Sequence, residues 1–219
     1  MDSGAGRRRD FDAVAATWDQ HPVRVERTRA LAEAIARLVP LRQDMRLLDY
    51  GCGTGLVALA LHPYVGAVVA ADNSEGMLSE LSAKVTAAGV GNVSPRRLDL
   101  EQEDWTGEPF DAIVSSMALH HIRKAGAVVE RLAAALRRGG WLAIADLAGG
   151  SEGFHPDPTG VFHHGFSAEE MGEMFEAAVE RDFNHPSVFS WCLFNETWGI
   201  GDGGYSDDRQ QWVAQMFEW

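Results

Sequence analysis

Leu47-Leu48-Asp49-Tyr50-Gly51-Cys52-Gly53-Thr54-Gly55 joins one short apolar run, MRLLDY (45–50), to another, LVALAL (56–61). The first reads as a buried strand and the second as a helix, so the glycines occupy a strand-to-helix turn. Glycine there takes positive φ without steric penalty and lets the backbone pass close to a ligand. The helix that follows points its unpaired N–H groups into the same crevice. The spacing is G-x-G-x-G. The dinucleotide-binding fingerprint is G-x-G-x-x-G, and residue 56 here is Leu.

Outward from this turn the pattern alternates. AVVAAD (67–72) is a second strand, followed by Asn73 or Ser74 as the cap of a helix with Met77, Leu78, Leu81 and Val85 on one face. VSPRRLDL (93–100) is a third strand and FDAIVSSM (110–117) a fourth. A helix over 125–137 carries Val128, Val129, Leu132 and Leu136 and leads into a fifth strand, WLAIADL (141–147). Upstream, Leu31, Ile35, Leu38 and Val39 mark one face of a helix over 23–39, stopped by Pro40. Strands alternating with helices require parallel pairing with crossovers, and the near-continuous apolar strands require cover on both faces. After residue 148 comes a loop rich in Gly, Pro and His (149–165), of the length that compact domains reserve for function. The capping box Ser167-Ala168-Glu169-Glu170 opens a helix, and strand-like segments follow at 187–195 and 211–218.

Position strengthens the reading of the glycines. Asp72 lies 21 residues past Gly51 at the end of the second strand. There an acid grips a ribose diol, accepting a hydrogen bond on each oxygen. Asp99 ends the third strand, where a carboxylate can accept from an adenine amino group. All three features sit at carboxyl strand ends, the edge where open α/β sheets bind ligands.

The chain has 219 residues, enough for one domain with a full core. Its formal net charge of −13 argues against a nucleic-acid substrate, which calls for a basic face. Arg7, Arg8 and Arg9 are the one dense basic cluster, in a lead-in (1–10) read as disordered. Two cysteines, Cys52 and Cys192, make no disulfide framework and suit a reduced cytoplasm. No apolar run reaches the roughly 18 residues of a membrane span.

LLDYGCGTG, VVAADNSEGML, FDAIVSSMALHHI and LRRGGWLAIADL together resemble the class I S-adenosylmethionine-dependent methyltransferase family. Within it they are most similar to the small-molecule branch that includes ubiquinone/menaquinone C-methyltransferases. The resemblance runs from FDAVAATWD, at about residue 11, to about residue 180. It implies a Rossmann-like sheet of seven mostly parallel strands in a single domain, with helices on both faces and an antiparallel last pair. It implies S-adenosylmethionine as cofactor and S-adenosylhomocysteine as product. Gly51, Gly53 and Gly55 would approach the methionine portion and ribose, and Asp72 would hold the ribose hydroxyls. Asn73 and Met77 would flank the adenine, with Asp99 and Leu100 touching it from the third strand. Ser115 and Met117 would face the methionine portion. Asp49 would orient the cofactor amino group, and Trp18 would close over the cofactor.

A nucleophile of high pKa needs a base besides the methyl donor. His120 and His121, after the fourth strand, and His155 with the pair His163 and His164 in the long loop, are the candidates, since histidine titrates near neutral pH. The second pair attracts more interest because it ends the long loop, which with the rest of 149–219 is expected to form the substrate side. A metal held by His155, His163 and His164 is disfavoured, because adjacent loop histidines are poorly preset ligands. Trp191, Trp198, Trp212 and Trp219, four of the seven tryptophans, crowd the tail and read as packing, a substrate wall or a dimer contact. The expected partner is a small molecule, acting on a cytoplasmic monomer or homodimer. Two other readings stay open: a non-catalytic S-adenosylmethionine-sensing module, and a nicotinamide-dependent oxidoreductase, against which the G-x-G-x-G spacing and the LHHI segment argue.

Overall fold

A computed structural model describes residues 9–181 and 188–194. Its sheet has six strands: β1 (Arg46–Tyr50), β2 (Ala67–Asp72), β3 (Val93–Arg97), β4 (Phe110–Ser116), β5 (Leu136–Leu147) and β6 (Val188–Phe194). They lie in the order β3-β2-β1-β4-β5-β6, and every pairing is parallel. The helices are α1 (Pro22–Leu38), α2 (Leu56–Leu61), α3 (Glu75–Ala88), α4 (Ala125–Ala134) and α5 (Ala168–Arg181). A 3-10 helix, Asp12–Gln20, precedes α1.

Leu47 and Leu48 are adjacent in β1 and both fully buried. Period-two alternation sends them to opposite faces. Leu47 joins a core with Leu31 and Ile35 of α1, Ala58 and Leu61 of α2 and Leu81 of α3. Leu48 joins the other core, with Val128 and Leu132 of α4 and Phe175 of α5. The continuous apolar strands thus follow from cover on both faces. Among the described residues no helix is long and apolar enough to cross a membrane.

Four local expectations need correction. The sheet has six described strands and all are parallel, whereas seven with an antiparallel last pair were expected. β6 matches the 187–195 segment but pairs in parallel with β5 from Trp141↔Val188 to Leu147↔Phe194, and 211–218 lies outside the described residues. β5 begins at Leu136 rather than 141, because Gly139 (φ +72°) and Gly140 carry a register shift that lets Leu136 pair with Phe110. β3 stops at Arg97. Its Pro95 is tolerable because β3 is the sheet's edge. Leu38 is exposed, and Val39, beyond the end of α1, fills the core instead.

Candidate functional site

The strand order reverses between β1 and β4, so the loops after these strands diverge and leave a crevice at the carboxyl edge. The glycine loop lines it from the β1 side. Gly51 and Cys52 both donate to the Ala71 carbonyl, at 2.8 and 3.0 Å, which folds the loop over the end of β2. Gly51 sits at φ +71°, and a Cβ there would lie 2.4 Å from Cβ of Ala118, beyond β4. Gly55 (φ +80°) abuts Leu81: a Cβ would fall 2.2 Å from its Cδ1. The first glycine therefore sets the approach of two sheet-edge loops, and the third sets the packing of α3 behind them.

Asp72 ties the loop to the next one. One carboxylate oxygen accepts from Gly53 N–H at 2.8 Å and the other from Ser74 N–H at 2.9 Å. Burial raises its pKa against the pull of these backbone donors. Ser74, the N-cap of α3, accepts from Met77 N–H at 3.1 Å and donates to Asp12 at 2.6 Å. Asp49 is buried behind the glycines, and its Oδ2 has no hydrogen-bond partner. Burial, reinforced by the charge of Asp72, pushes its pKa up to about 7 against a backbone bond from Ala58. Burial likewise raises the Cys52 thiol well above its ordinary value, so it is no ready thiolate but a small filler of the loop.

At the end of β4, Met117 has φ +54°, the sole non-glycine with positive φ among the described residues. Such backbone strain clusters at ligand sites. The N-terminal 3-10 helix crosses the crevice. Asp12 accepts from Gly76 N–H at 2.8 Å, and Asp19 accepts from Thr54 Oγ1 at 2.6 Å and pairs with Lys84. Trp18 stands beneath the guanidinium of Arg24, 3.8 Å from its ring centroid, and edge-on to Phe11.

The far wall is made of histidines. His120 is buried, and its Nδ1 contacts Asp146 Oδ1 at 2.6 Å. Asp146 also accepts from the N–H groups of Leu119 and Leu147. His121 Nδ1 donates to the Gly160 carbonyl at 2.8 Å. His155 reaches in from the long loop, its Nε2 3.1 Å from that of His120 and its Nδ1 3.3 Å from Arg9. Burial, helped by neighbouring positive charge, lowers the pKa of His121 to about 3 and of His155 to about 4.

These walls enclose one cavity of about 830 Å³, within the range that takes a cofactor-sized ligand. It is lined by Trp18, Asp49, Gly51, Gly53, Asp72, Asn73, Met77, Asp99, Met117, His120 and His121 of the expected residues. Gly55, Leu100 and Ser115 do not line it. Leu100 is fully buried, its N–H donating to the Tyr50 hydroxyl, and Leu98 lines the cavity instead. Ser115 is buried, with its hydroxyl unpartnered, while Ser116, one residue on, faces the space. His163 and His164 also fall outside: His163 Nε2 donates to the Ile122 carbonyl at 3.0 Å, and His164 is exposed. The loop turns back at Gly165 (φ +101°), where hydrogen bonds from Gly149 to Phe166 and from Phe166 to Leu147 close its base, and its middle rather than its end folds inward. The histidine trio is thus His120, His121 and His155. The sequence reading missed Asp146, although a carboxylate inside the apolar run WLAIADL was a usable signal. It also missed Asp12, Asp19 and Arg9, whose partners are distant in sequence.

Comparison with known proteins places this geometry. Residues 47–140 match the family model described as a methyltransferase domain. An uncharacterised methyltransferase of Schizosaccharomyces pombe is 34% identical over 152 residues, 63% of this chain and 54% of that protein. A ubiquinone biosynthesis O-methyltransferase of Parvibaculum lavamentivorans is 32% identical over 152 residues, 63% of this chain and 60% of that protein. The crystal structure of the YcgJ protein from Bacillus subtilis superposes with a TM-score of 0.61 at 25% identity, over 70% of this chain and 68% of that one. The chain spans little more than half the length of these curated relatives.

Proposed function

We propose that this chain, a member of the class I S-adenosylmethionine-dependent methyltransferase family, binds S-adenosylmethionine along the glycine loop and methylates an oxygen of a small molecule seated against the histidines. The observation that carries the reading is a single cavity bounded at one end by Gly51, Gly53 and Asp72 and at the other by His120, His121 and His155. One space serves donor and acceptor together, as in-line transfer requires.

The residues fit the cofactor. The unpartnered Asp49 Oδ2 matches a cationic amino group, and its raised pKa means that such a partner relieves a buried carboxylate. The Asp72 carboxylate offers its remaining lone pairs to a diol. Asn73, Met77 and Asp99, which line the cavity, would flank the adenine, with Trp18 closing over the cofactor and Met117 facing its methionine portion. The bound cofactor supplies an electrophilic methyl on a sulfonium, so the protein mainly positions the partners and excludes water. The Asp12–Gln20 helix and the middle of the 149–165 loop, through Phe154 and His155, provide that exclusion.

Two arguments favour oxygen. A hydroxyl must shed a proton, and His120 and His121, each donating from Nδ1, keep an Nε2 lone pair to receive it. The relatives include a ubiquinone biosynthesis O-methyltransferase, a 27-O-demethylrifamycin SV methyltransferase and a nocamycin O-methyltransferase. A purely sensing module would leave the histidine end of the cavity without a role.

The test is calorimetric titration of S-adenosylhomocysteine into wild-type protein and Asp72→Ala. Wild type binds. The variant, losing a charge-assisted pair worth about 1.5–3 kcal/mol, binds roughly 10–100-fold more weakly. Folded wild-type protein that does not bind would overturn the reading. Binding without turnover across a panel of hydroxylated small molecules would return the sensing alternative.

A further inference from the structure

We propose that His120, His121 and His155 form a three-histidine site for a divalent transition-metal cation of the zinc class, open to the acceptor end of the cavity. A ring nitrogen of each lies within 4.8 Å of the other two. The Nε2 atoms of His120 and His155 are 3.1 Å apart. Two nitrogens bound to one tetrahedral zinc at 2.0–2.1 Å are themselves about 3.4 Å apart, so this pair already has the separation of two ligands on one ion.

Hydrogen bonding prepares the rings in the same way. A metal-binding histidine characteristically gives its other N–H to a carboxylate or a backbone carbonyl, which fixes tautomer and orientation. His120 Nδ1 meets the buried Asp146 carboxylate at 2.6 Å, and His121 Nδ1 meets the Gly160 carbonyl at 2.8 Å. Both must donate, which leaves the Nε2 lone pairs to the interior. Arg9 can only donate to His155 Nδ1, so His155 Nε2 carries the proton that fills the contact with His120. One proton thus sits between the two Nε2 atoms, and for His155 to bind a cation through Nε2 that proton passes to Nδ1 while Arg9 releases the ring.

The donor set is also held from separate directions. His120 and His121 belong to the 3-10 turn after β4, and His155 comes from the loop after β5. All three line the cavity, so a fourth position faces a water or a ligand oxygen, the arrangement of open three-histidine zinc sites. Asp146 offsets part of the cation's charge. Arg9 opposes it, and touches only the distal nitrogen of His155. The site stands on these contacts alone, while its placement beside a methyl donor rests on the function proposed above.

The experiment uses the full chain, stripped with chelator and titrated with Co²⁺ by visible absorption, then with Zn²⁺ in competition. The expected result is one equivalent bound, with the strong visible bands of low-coordinate cobalt, displaced by Zn²⁺. His155→Ala and His121→Ala each weaken binding at least ~10-fold, and the exposed His164→Ala leaves it unchanged. His121→Gln serves if the alanine variant fails to fold by circular dichroism. Absence of stoichiometric binding, or binding indifferent to both His155→Ala and His121→Ala, would overturn the proposal. S-adenosylhomocysteine titrated into the same samples separates the two claims. Cofactor binding without cobalt binding removes the metal site alone, and cobalt binding without cofactor binding removes the methyl-transfer reading alone.

Discussion

The glycine end and the histidine end of the cavity are built by different means. At the glycine end the contacts that shape the loop itself join the ends of the adjacent strands β1 and β2: Gly53 meets Asp72, and Asp72 meets Ser74, with the Asp12–Gln20 helix laid over them. The contacts are backbone N–H groups held by strand ends and by the cap of α3. At the histidine end, Arg9, His120, Asp146, His155 and Gly160 converge from four segments, through ring nitrogens and one buried carboxylate. The first end is set by local geometry and the second by tertiary packing. A binding site for a shared cofactor suits the former, and recognition of a particular acceptor suits the latter.

The largest expected effect lies at the glycine end. Gly55→Ala forces a Cβ at positive φ into Leu81, combining backbone strain of about 1–2 kcal/mol with overpacking of about 1–3 kcal/mol. Urea unfolding should therefore show a loss of about 2–5 kcal/mol. Gly89→Ala, also at positive φ (+63°) but facing open space, should lose only the strain. Equal losses at the two sites would mean that the packing of Gly55 on α3 carries nothing.

The two ends should also answer pH with opposite signs. His121 titrates near 3 in the native state, against an ordinary value of 6.5. The unfolded chain takes up that proton first as pH falls, so this stabilisation is complete above about 6.5 and lost as pH drops toward 3. Asp49 titrates near 7 in the native state, against 3.8. Its contribution is complete below 3.8 and lost as pH rises through 7. His121→Gln should flatten the acid side of the melting profile and Asp49→Asn the alkaline side. Each effect should be about 2–4 °C, the equivalent of roughly 1 kcal/mol in a chain of this size. Profiles unchanged by both substitutions would show that neither burial reaches stability.

The smallest effect concerns the cover over the glycine end. Ser74→Ala removes the cap of α3 and one of the two anchors of Asp12 together, for about 0.5–2 kcal/mol. Hydrogen exchange should quicken in residues 12–20 while His120 and its neighbours keep their protection. Quickening at both ends would show that the two are one cooperative unit.

The same contrast explains what could be read in advance. β1, α2 and β2 follow from apolar runs and glycine spacing, and so do the loop and Asp72, because every determinant is local. A one-residue error appeared where side chains alternate, Ser115 being expected in the cavity and Ser116 lining it, whereas Leu98, two residues before Leu100 and past the end of β3, takes the place assigned to Leu100. Such parity depends on which strand face the crevice opens toward, and spacing alone does not reveal it. The histidine trio was legible only in part. His120 and His121 were visible as a pair, but His155 was grouped with His163 and His164, since nothing in the loop's composition says which part folds inward. The direct pairing of β6 with β5 was equally hidden, because a strand's neighbour is chosen by the whole sheet.

The hydrogen bonds that close the base of the 149–165 loop have a consequence for descent with change. Gly149 donates to the Phe166 carbonyl, and Phe166 donates to that of Leu147, so both feet of the loop stand on the end of β5. Residues between the feet can be exchanged, added or lost without touching a strand, and even doubling the length of such a loop adds only about 0.6 kcal/mol of closure entropy. A lineage carrying this scaffold can therefore try out new chemical clientele while inheriting its foldability intact.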